Sequence, residues 1–305
     1  MSDSCCSNSE NKKGPRIRKR LQGYRCGTEI PVSNSLLETL NSQERQGTPC
    51  FQVYLTGREV QTSFSVCQFT TKDLADSQTI CERQDLNFYV HCPLIANLAK
   101  DSCKRIQTVI QKELNLIKNL PASCVLHIGK ALENTPEQGL ANVAARINEL
   151  EFSTGKHERN RYPLLLECAA GQGTELGKNW EEIRKIYEAL DKNKVGLCLD
   201  TQHLFASGMS DFEGTESVVK LFDEVYSLTG RKPSLFHIND SKKEFGSRVD
   251  RHEEIGKGFI WKGKNSSLIE LIKRCREDSI DMILETHNPI EDLKVMNALT
   301  DKLQD

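Results

Sequence analysis

Residues 163–200 read PLLLECAAGQGTELGKNWEEIRKIYEALDKNKVGLCLD. A continuous apolar run (PLLLEC, 163–168) is followed by a glycine-bearing turn and an amphipathic stretch (NWEEIRKIYEAL, 179–190). A second apolar run then closes the unit (VGLCLD, 195–200). Runs that are apolar without alternation are expected of parallel strands buried on both faces, and parallel neighbours need a helical crossover between them. The stretch is therefore one strand–helix–strand unit. Working outward, the same kind of run recurs at 23–27 (GYRCG), 51–55 (FQVYL), 87–91 (NFYVH) and 123–128 (SCVLHI). It recurs again at 234–238 (SLFHI) and 281–285 (DMILE), and a second clear amphipathic helix is predicted over 100–119. Eight strands alternating with helices predict an α/β chain closed into a (β/α)8 barrel spanning residues 23–305. An open doubly wound sheet is the alternative, but no G-x-G-x-x-G follows any strand.

Composition sets the limits. The chain has 305 residues, 37% hydrophobic and 28% charged, which suits a soluble globular protein. No run of about 18 apolar residues offers a membrane span. The polar start, MSDSCCSNSENKK, lacks the apolar core of a secretory signal, so an intracellular protein, nuclear or cytoplasmic, is expected. None of the 12 cysteines is spaced C-x-x-C, and Cys124, Cys168 and Cys198 sit inside apolar runs. Reduced structural thiols are the expectation. Net charge is -2, but residues 1–22 carry six basic against two acidic side chains, a local +4 that leaves -6 for the rest. That arm is expected to be disordered and basic.

One connection exceeds an ordinary strand-to-helix loop: NDSKKEFGSRVDRHEEIGKGFIWKG, 239–263. Long loops in compact domains are usually functional, and in a barrel a loop after a strand lies on the active-site face. The strand ends deliver matching chemistry. His91, His127, Glu167, Asp200, His237 and Glu285 each close a separate predicted strand, with His203 three residues beyond Asp200 and Asp250-x-His252 in the long loop. Five of the seven histidines occupy these positions, leaving His157 in a charged loop and His287 over. A multinuclear metal site follows. Histidine and carboxylate without cysteine suit catalytic zinc or manganese, and nine side chains suit three ions with about three ligands each. Four carboxylates and three divalent ions give the mouth about +2, which attracts phosphate although the chain is acidic.

The segments LLLECAAGQG (164–173), VGLCLDTQHLFASG (195–208), FHINDSKKEFGSRVDRHEEIGKG (236–258) and ILETHNP (283–289) resemble the signatures of the endonuclease IV family of apurinic/apyrimidinic (AP) endonucleases. The resemblance covers about residues 23 to 303. It implies a xylose-isomerase-like TIM barrel with a trinuclear zinc site, manganese being an option at one position. By motif, His91, His127 and Glu167 would hold the first ion. Glu167 would bridge to a second, also held by Asp200, His237 and Glu285, while His203, Asp250 and His252 would hold the third. Two departures stand out. The turn after the first histidine reads HCPLIANL, with Leu94 and Ile95 where bacterial members carry an aromatic wedge, and Glu29 replaces a histidine in GTEIPVS (27–33). The basic arm also exceeds the compact bacterial pattern, and all three features fit a divergent branch, viral or eukaryotic.

The implied reaction is hydrolysis of the phosphodiester 5′ to an abasic site in duplex DNA during base-excision repair, leaving a 3′-hydroxyl, by a monomeric enzyme. Two ions would lower the pKa of a bridging water and the third would neutralise the leaving oxygen. Glu167 would set the metal spacing, and Glu285 would orient the attacking hydroxide. An abasic nucleotide has no base to unstack, so extruding it costs less than extruding a normal one. Lys242, Lys243, Arg248 and Arg251 are candidates for gripping the flanking phosphates, against the plainer reading of a solvated charged loop. Gly171 and Gly173 are read as permitting a tight loop. The rival activity is a sugar isomerase or epimerase, which would leave His203, Asp250 and His252 without a purpose. A non-catalytic DNA-binding protein is the third possibility, and its mark would be broken ligand positions.

Overall fold

The computed structural model describes residues 23–56, 66–152, 154–155, 161–263 and 265–303. The basic arm, Cys5, Cys6 and His157 lie outside the described residues. Eight parallel strands make one sheet. They are β1 (Cys26–Thr28), β2 (Cys50–Val53), β3 (Asn87–His91), β4 (Ala122–His127), β5 (Leu164–Glu167), β6 (Val195–Asp200), β7 (Leu235–His237) and β10 (Asp281–Leu284). Between the last two, β8 (Asp240–Ser241) and β9 (His252–Glu253) form a separate antiparallel ladder. Spatial order runs β1-β10-β7-β6-β5-β4-β3-β2. The two ends meet: Glu29 bridges Gln52 in parallel, and the Ile30 amide donates to the Gln52 carbonyl at 2.9 Å. Gly27 permits this closure, since a Cβ there would stand 1.8 Å from the Cys50 carbonyl oxygen. A closed (β/α)8 barrel is the result, as the spacing of apolar runs predicts.

The sequence-based strand limits are met at both ends of β3 and β6 and differ by one to three residues at one or both ends of the other six. β1 starts at Cys26, not Gly23, because Gly23 stands at φ +86° and Tyr24 and Arg25 lie outside the ladder. After α1 (Leu36–Asn41) and α2 (Thr71–Gln84), the two helices read from amphipathic patterns are shorter than those patterns: α3 (Lys104–Ile117) and α5 (Trp180–Glu188), with α4 (Pro136–Asn148) between them. Asn179 caps α5 by accepting from the Glu182 amide, and Thr135 with Pro136 starts α4 in the same way. A short helix, α6 (Thr201–Ser207), follows β6 directly. Among the described residues no helix is long and apolar enough to cross a membrane. The ten cysteines among those residues are all free thiols, nine of them buried, as expected of core residues.

Side chains alternate between the two faces of each strand, and that period of two organises the barrel. Outward-facing Phe51, Phe88, Val90, Leu126, Leu166, Leu199 and Phe236 pack beneath the helices. Inward-facing Cys50, Tyr89, Val125, Leu165, Cys198, Leu235 and Ile283 form a separate dry layer inside. One period further along, the same seven strands present Gln52, His91, His127, Glu167, Asp200, His237 and Glu285. The apolar layer is thus the floor on which the polar mouth stands.

At the opposite end, Arg25 (5% exposed) pairs with Asp281 (1% exposed) at 2.6 Å. The second Asp281 oxygen accepts from the Asn87 amide and the Tyr89 hydroxyl, both at 3.0 Å. Asp281→Ala would leave Arg25 only the exposed Asp85 carboxylate and two main-chain carbonyls, and would strand the Asn87 and Tyr89 donors. A loss of about 2–4 kcal/mol is expected from the unmet buried donors, read from urea unfolding of parent and variant. A loss below about 1 kcal/mol would show that the plug is not stabilising.

Candidate metal centre

The period-two layer brings its titratable groups together around Glu167. Its carboxylate lies 3.3 Å from His91 Nε2, 3.3 Å from His127 Nε2, 3.3 Å from His203 Nδ1 and 3.2 Å from His237 Nδ1. Glu285 Oε2 lies 3.1 Å from His237 Nδ1, and Asp200 Oδ2 lies 4.0 Å from it. On the loop side, Asp250 stands 3.6 Å from His203 Nε2 and 3.4 Å from His252 Nε2, and His252 Nε2 stands 3.6 Å from Asp200. All nine side chains singled out by sequence therefore meet in one cluster. Their ligand atoms fall into three groups that could each hold an ion: His91–His127–Glu167, Glu167–Asp200–His237–Glu285, and Asp200–His203–His252. Asp250 touches both histidines of the third group rather than replacing Asp200 in it.

The cluster is deeply buried: Glu167, Asp200, His91, His203 and His237 are all 3% exposed or less. Each is held by an outer partner. One Asp200 oxygen caps α6, accepting from the Gln202 and His203 amides at 2.7 and 3.0 Å, while the other faces the cluster. His91 Nδ1 meets the Cys92 carbonyl at 2.6 Å, and His203 Nδ1 meets the Cys168 carbonyl at 2.9 Å. Each contact leaves Nε2 directed at the carboxylates, the arrangement expected of a ligating histidine. Burial pushes the Glu167 carboxyl toward neutrality, but the charges of His127 and His237 outweigh it and hold that carboxyl well below its ordinary value. Burial lowers His203 and His237 likewise, yet their neighbours (Asp200 and Asp250 for His203, Cys198 and Glu285 for His237) hold both well above theirs. At His127 burial wins and the pKa is lowered.

The long connection is more ordered than its length suggests. Asp240, buried, accepts from the backbone amides of Ser241, Gly256, Gly258 and Ile260 at 2.8–3.1 Å, folding the connection on itself. The β8–β9 ladder then sets Asp250 and His252 over the barrel. Of the basic candidates, Lys242 and Arg251 are exposed and line a cavity of about 280 Å³ together with the His and carboxylate cluster. Lys243 and Arg248 lie on the same loop and do not line it. Leu94 lines the cavity and is 43% exposed; Ile95 is exposed beside it. Gly171 and Gly173 stand at φ +86° and +60°, which accounts for them as turn residues.

Sequence reading did not single out four residues of this region. Tyr54 packs its ring 5.0 Å from His91, and His287 lines the cavity. Asn239 donates to Asp200 Oδ2 at 2.7 Å and accepts from the Glu285 amide at 3.1 Å. Gln52 touches both His237 and Glu285. For Gln52 a signal was available, since a polar residue two positions after Cys50 in an apolar strand must face the same interior.

The chain is similar to known proteins in sequence and in fold. The family model described as "Xylose isomerase-like TIM barrel" matches residues 47–301. The "Probable endonuclease 4" of Methanosphaera stadtmanae is 32% identical over 67% of this chain and 72% of its own length. The crystal structure of endonuclease IV from Thermus thermophilus superposes with a TM-score of 0.73 at 21% identity, over 91% of this chain and 99% of that one. A D-tagatose 3-epimerase-like protein also superposes, with a TM-score of 0.62 at 15% identity over 91% and 98% of the two chains. The barrel alone is therefore common to nucleases and sugar enzymes, and it is the sequence relationship that distinguishes them. On that relationship the chain belongs to the endonuclease IV family of xylose isomerase-like TIM barrels.

Proposed function

We propose that this chain is a zinc-dependent AP endonuclease that hydrolyses the phosphodiester 5′ to an abasic site and leaves a 3′-hydroxyl. A DNA-hydrolysing activity follows from its family. The observation that carries the finer reading is the convergence of nine His, Asp and Glu side chains, with three ligand groups that share Glu167 and Asp200. The donor set also fits cations. Glu167 Oε2 and His252 Nε2 are buried and make no hydrogen bond, facing instead other ligand-type atoms of the cluster at 3.3–3.6 Å, as suits atoms that share a cation. His91, His127 and Glu167 would hold one ion, and Glu167, Asp200, His237 and Glu285 a second. His203, Asp250 and His252 would hold the third, with Asp200 in reach.

Divalent zinc, with manganese acceptable at one position, supplies a nucleophile from water at neutral pH and neutralises charge on the phosphate and the leaving oxygen. The protein's own groups do the rest. Glu167 couples the groups by reaching four histidines at once. Glu285 is assigned to orienting the attacking water. Lys242 and Arg251, at the rim, would grip phosphates beside the lesion, with Lys243 and Arg248 further out. At about 280 Å³ the cavity is at the small end for ligand sites, which suits a sugar-phosphate without its base. A sugar epimerase is the competing activity, and the third ligand group would then have no role.

Metal analysis of the purified protein beside a nicking assay on a duplex with one abasic analogue tests the proposal. Close to three zinc ions per chain (some manganese allowed), little stripped by brief chelation, and incision 5′ to the analogue are expected. One ion per chain, lost at once to chelator, would overturn the three-metal reading. Equal nicking of intact duplex would overturn the lesion preference.

A further inference from the structure

Seven side chains make the polar layer at the barrel mouth, and Gln52 is the one that does not titrate. It is fully buried, at 0% exposure, between two members of the middle ligand group. Its Nε2 donates to Glu285 Oε1, and its Oε1 lies 3.0 Å from His237 Nε2. His237 turns its other nitrogen to the centre, 3.1 Å from Glu285 Oε2 and 3.2 Å from Glu167 Oε1.

Donor and acceptor chemistry allows one orientation of the Gln52 amide in this chain of contacts. A ligating carboxylate is ionised and can only accept, so the Gln52 atom facing Glu285 must be the NH2 group. The atom facing His237 is then the carbonyl oxygen, which can only accept. His237 must carry a ring proton on Nε2, so Nδ1 is the nitrogen that would ligate a cation, and without one it shares a proton with Glu167 and Glu285. A flipped amide would set oxygen against carboxylate on one side and NH2 against a protonated nitrogen on the other. His91 and His203 reach the opposite tautomer by another device, a backbone carbonyl at Nδ1 that leaves Nε2 for the centre. Strand β7 ends at His237, and its ring has a side-chain amide from β2, three strands away around the barrel, where the other two have main chain.

We infer that Gln52 is a positioning residue that selects the His237 tautomer and fixes one Glu285 oxygen, so that the middle metal group is assembled before an ion arrives. This rests on the metal reading above. Outer partners of ligating histidines commonly contribute about 10–100-fold in metal affinity, and Gln52 serves a histidine and a carboxylate together. Asn239 supplies the complementary clamp on Asp200 and the Glu285 main chain.

The test uses full-length zinc-loaded protein with Gln52→Met, which keeps the volume and removes both contacts, and Gln52→Glu, which restores an acceptor for His237 but sets a charge against Glu285. Long-range ¹H–¹⁵N spectra of the parent are expected to show His237 protonated at Nε2 and ligating through Nδ1. In Gln52→Met that assignment should weaken or become mixed. Zinc affinity for one ion of the complement, from chelator competition, should fall about 10–100-fold while the remaining ions hold as in the parent. Gln52→Glu should not rescue it. Parent-like zinc affinity and an unchanged His237 tautomer in Gln52→Met, with an unaltered melting curve, would overturn the inference. A parent that binds no zinc would instead remove the metal reading beneath it, and the parent measurement separates the two failures.

Discussion

Glu167→Gln is expected to abolish incision of abasic duplex under conditions where the parent turns over freely. The change is isosteric and the position is 1% exposed, so the barrel should survive it. What is lost is a negative charge within 3.2–3.3 Å of four histidines and a carboxylate common to two of the ligand groups. Losing a single oxyanion-stabilising donor costs about 10²–10³ in rate. Losing a shared ligand disturbs two ions and should exceed that. Metal analysis should show the complement reduced by more than one ion. Metal-free protein gives an independent check. The folded Glu167 pKa is depressed, so its stabilisation is present above the ordinary glutamate range and is lost as pH falls through the folded value. The melting difference between parent and Glu167→Gln should accordingly shrink on acidification. Incision by Glu167→Gln within about tenfold of the parent, far short of a lost donor's cost, would show that Glu167 is not the common ligand.

Asp250→Ala and His252→Ala separate a nuclease from a sugar enzyme on the same barrel. Both residues come from the loop after β7, and with His203 they complete the group that a one- or two-metal isomerase does not need. Each should lower single-turnover incision by more than about 10²–10³-fold, because a whole ion would leave or loosen. Folding should be little affected. Asp250 and His252 are only partly buried, and the loop is anchored independently by Asp240 and the buried side chains of Ile260 and Trp261. Binding to abasic duplex should remain measurable, since Lys242, Arg251 and the other two groups are untouched. Gel-shift titration and rapid-quench incision on the same preparations read the two effects. Parent-rate nicking by either variant would return the third group to a structural role and revive the epimerase reading.

The metal candidates could be found without coordinates because a parallel barrel strand writes its geometry into the chain. A continuous apolar run marks burial on both faces, and the residue that ends it lies on the active-site rim. His91, His127, Glu167, Asp200, His237 and Glu285 all share that mark. His203, Asp250 and His252 lack it and are reached through their spacing and through resemblance to a family. Glycine–charge alternation in 239–263 signals an important loop but not its shape. The amide-to-carboxylate contacts that Asp240 makes with Gly256, Gly258 and Ile260 cross the loop at separations that local propensity does not encode.

By itself, then, the amino-acid sequence determined the class of fold, the eight strands to within a few residues, and the ligand types arriving at one rim. Those properties are local: hydrophobic periodicity and the identity of a strand's last residue need no partner to be defined. Tertiary structure alone decided which ligand atom faces which. That Glu167 reaches four histidines, that Asp200 divides its oxygens between a helix cap and the metal groups, and that Gln52 turns His237 to offer Nδ1 all depend on register between strands distant in sequence. Register is set by packing of the whole closed barrel, down to the absent Cβ at Gly27 that lets β1 meet β2, and no single segment carries it.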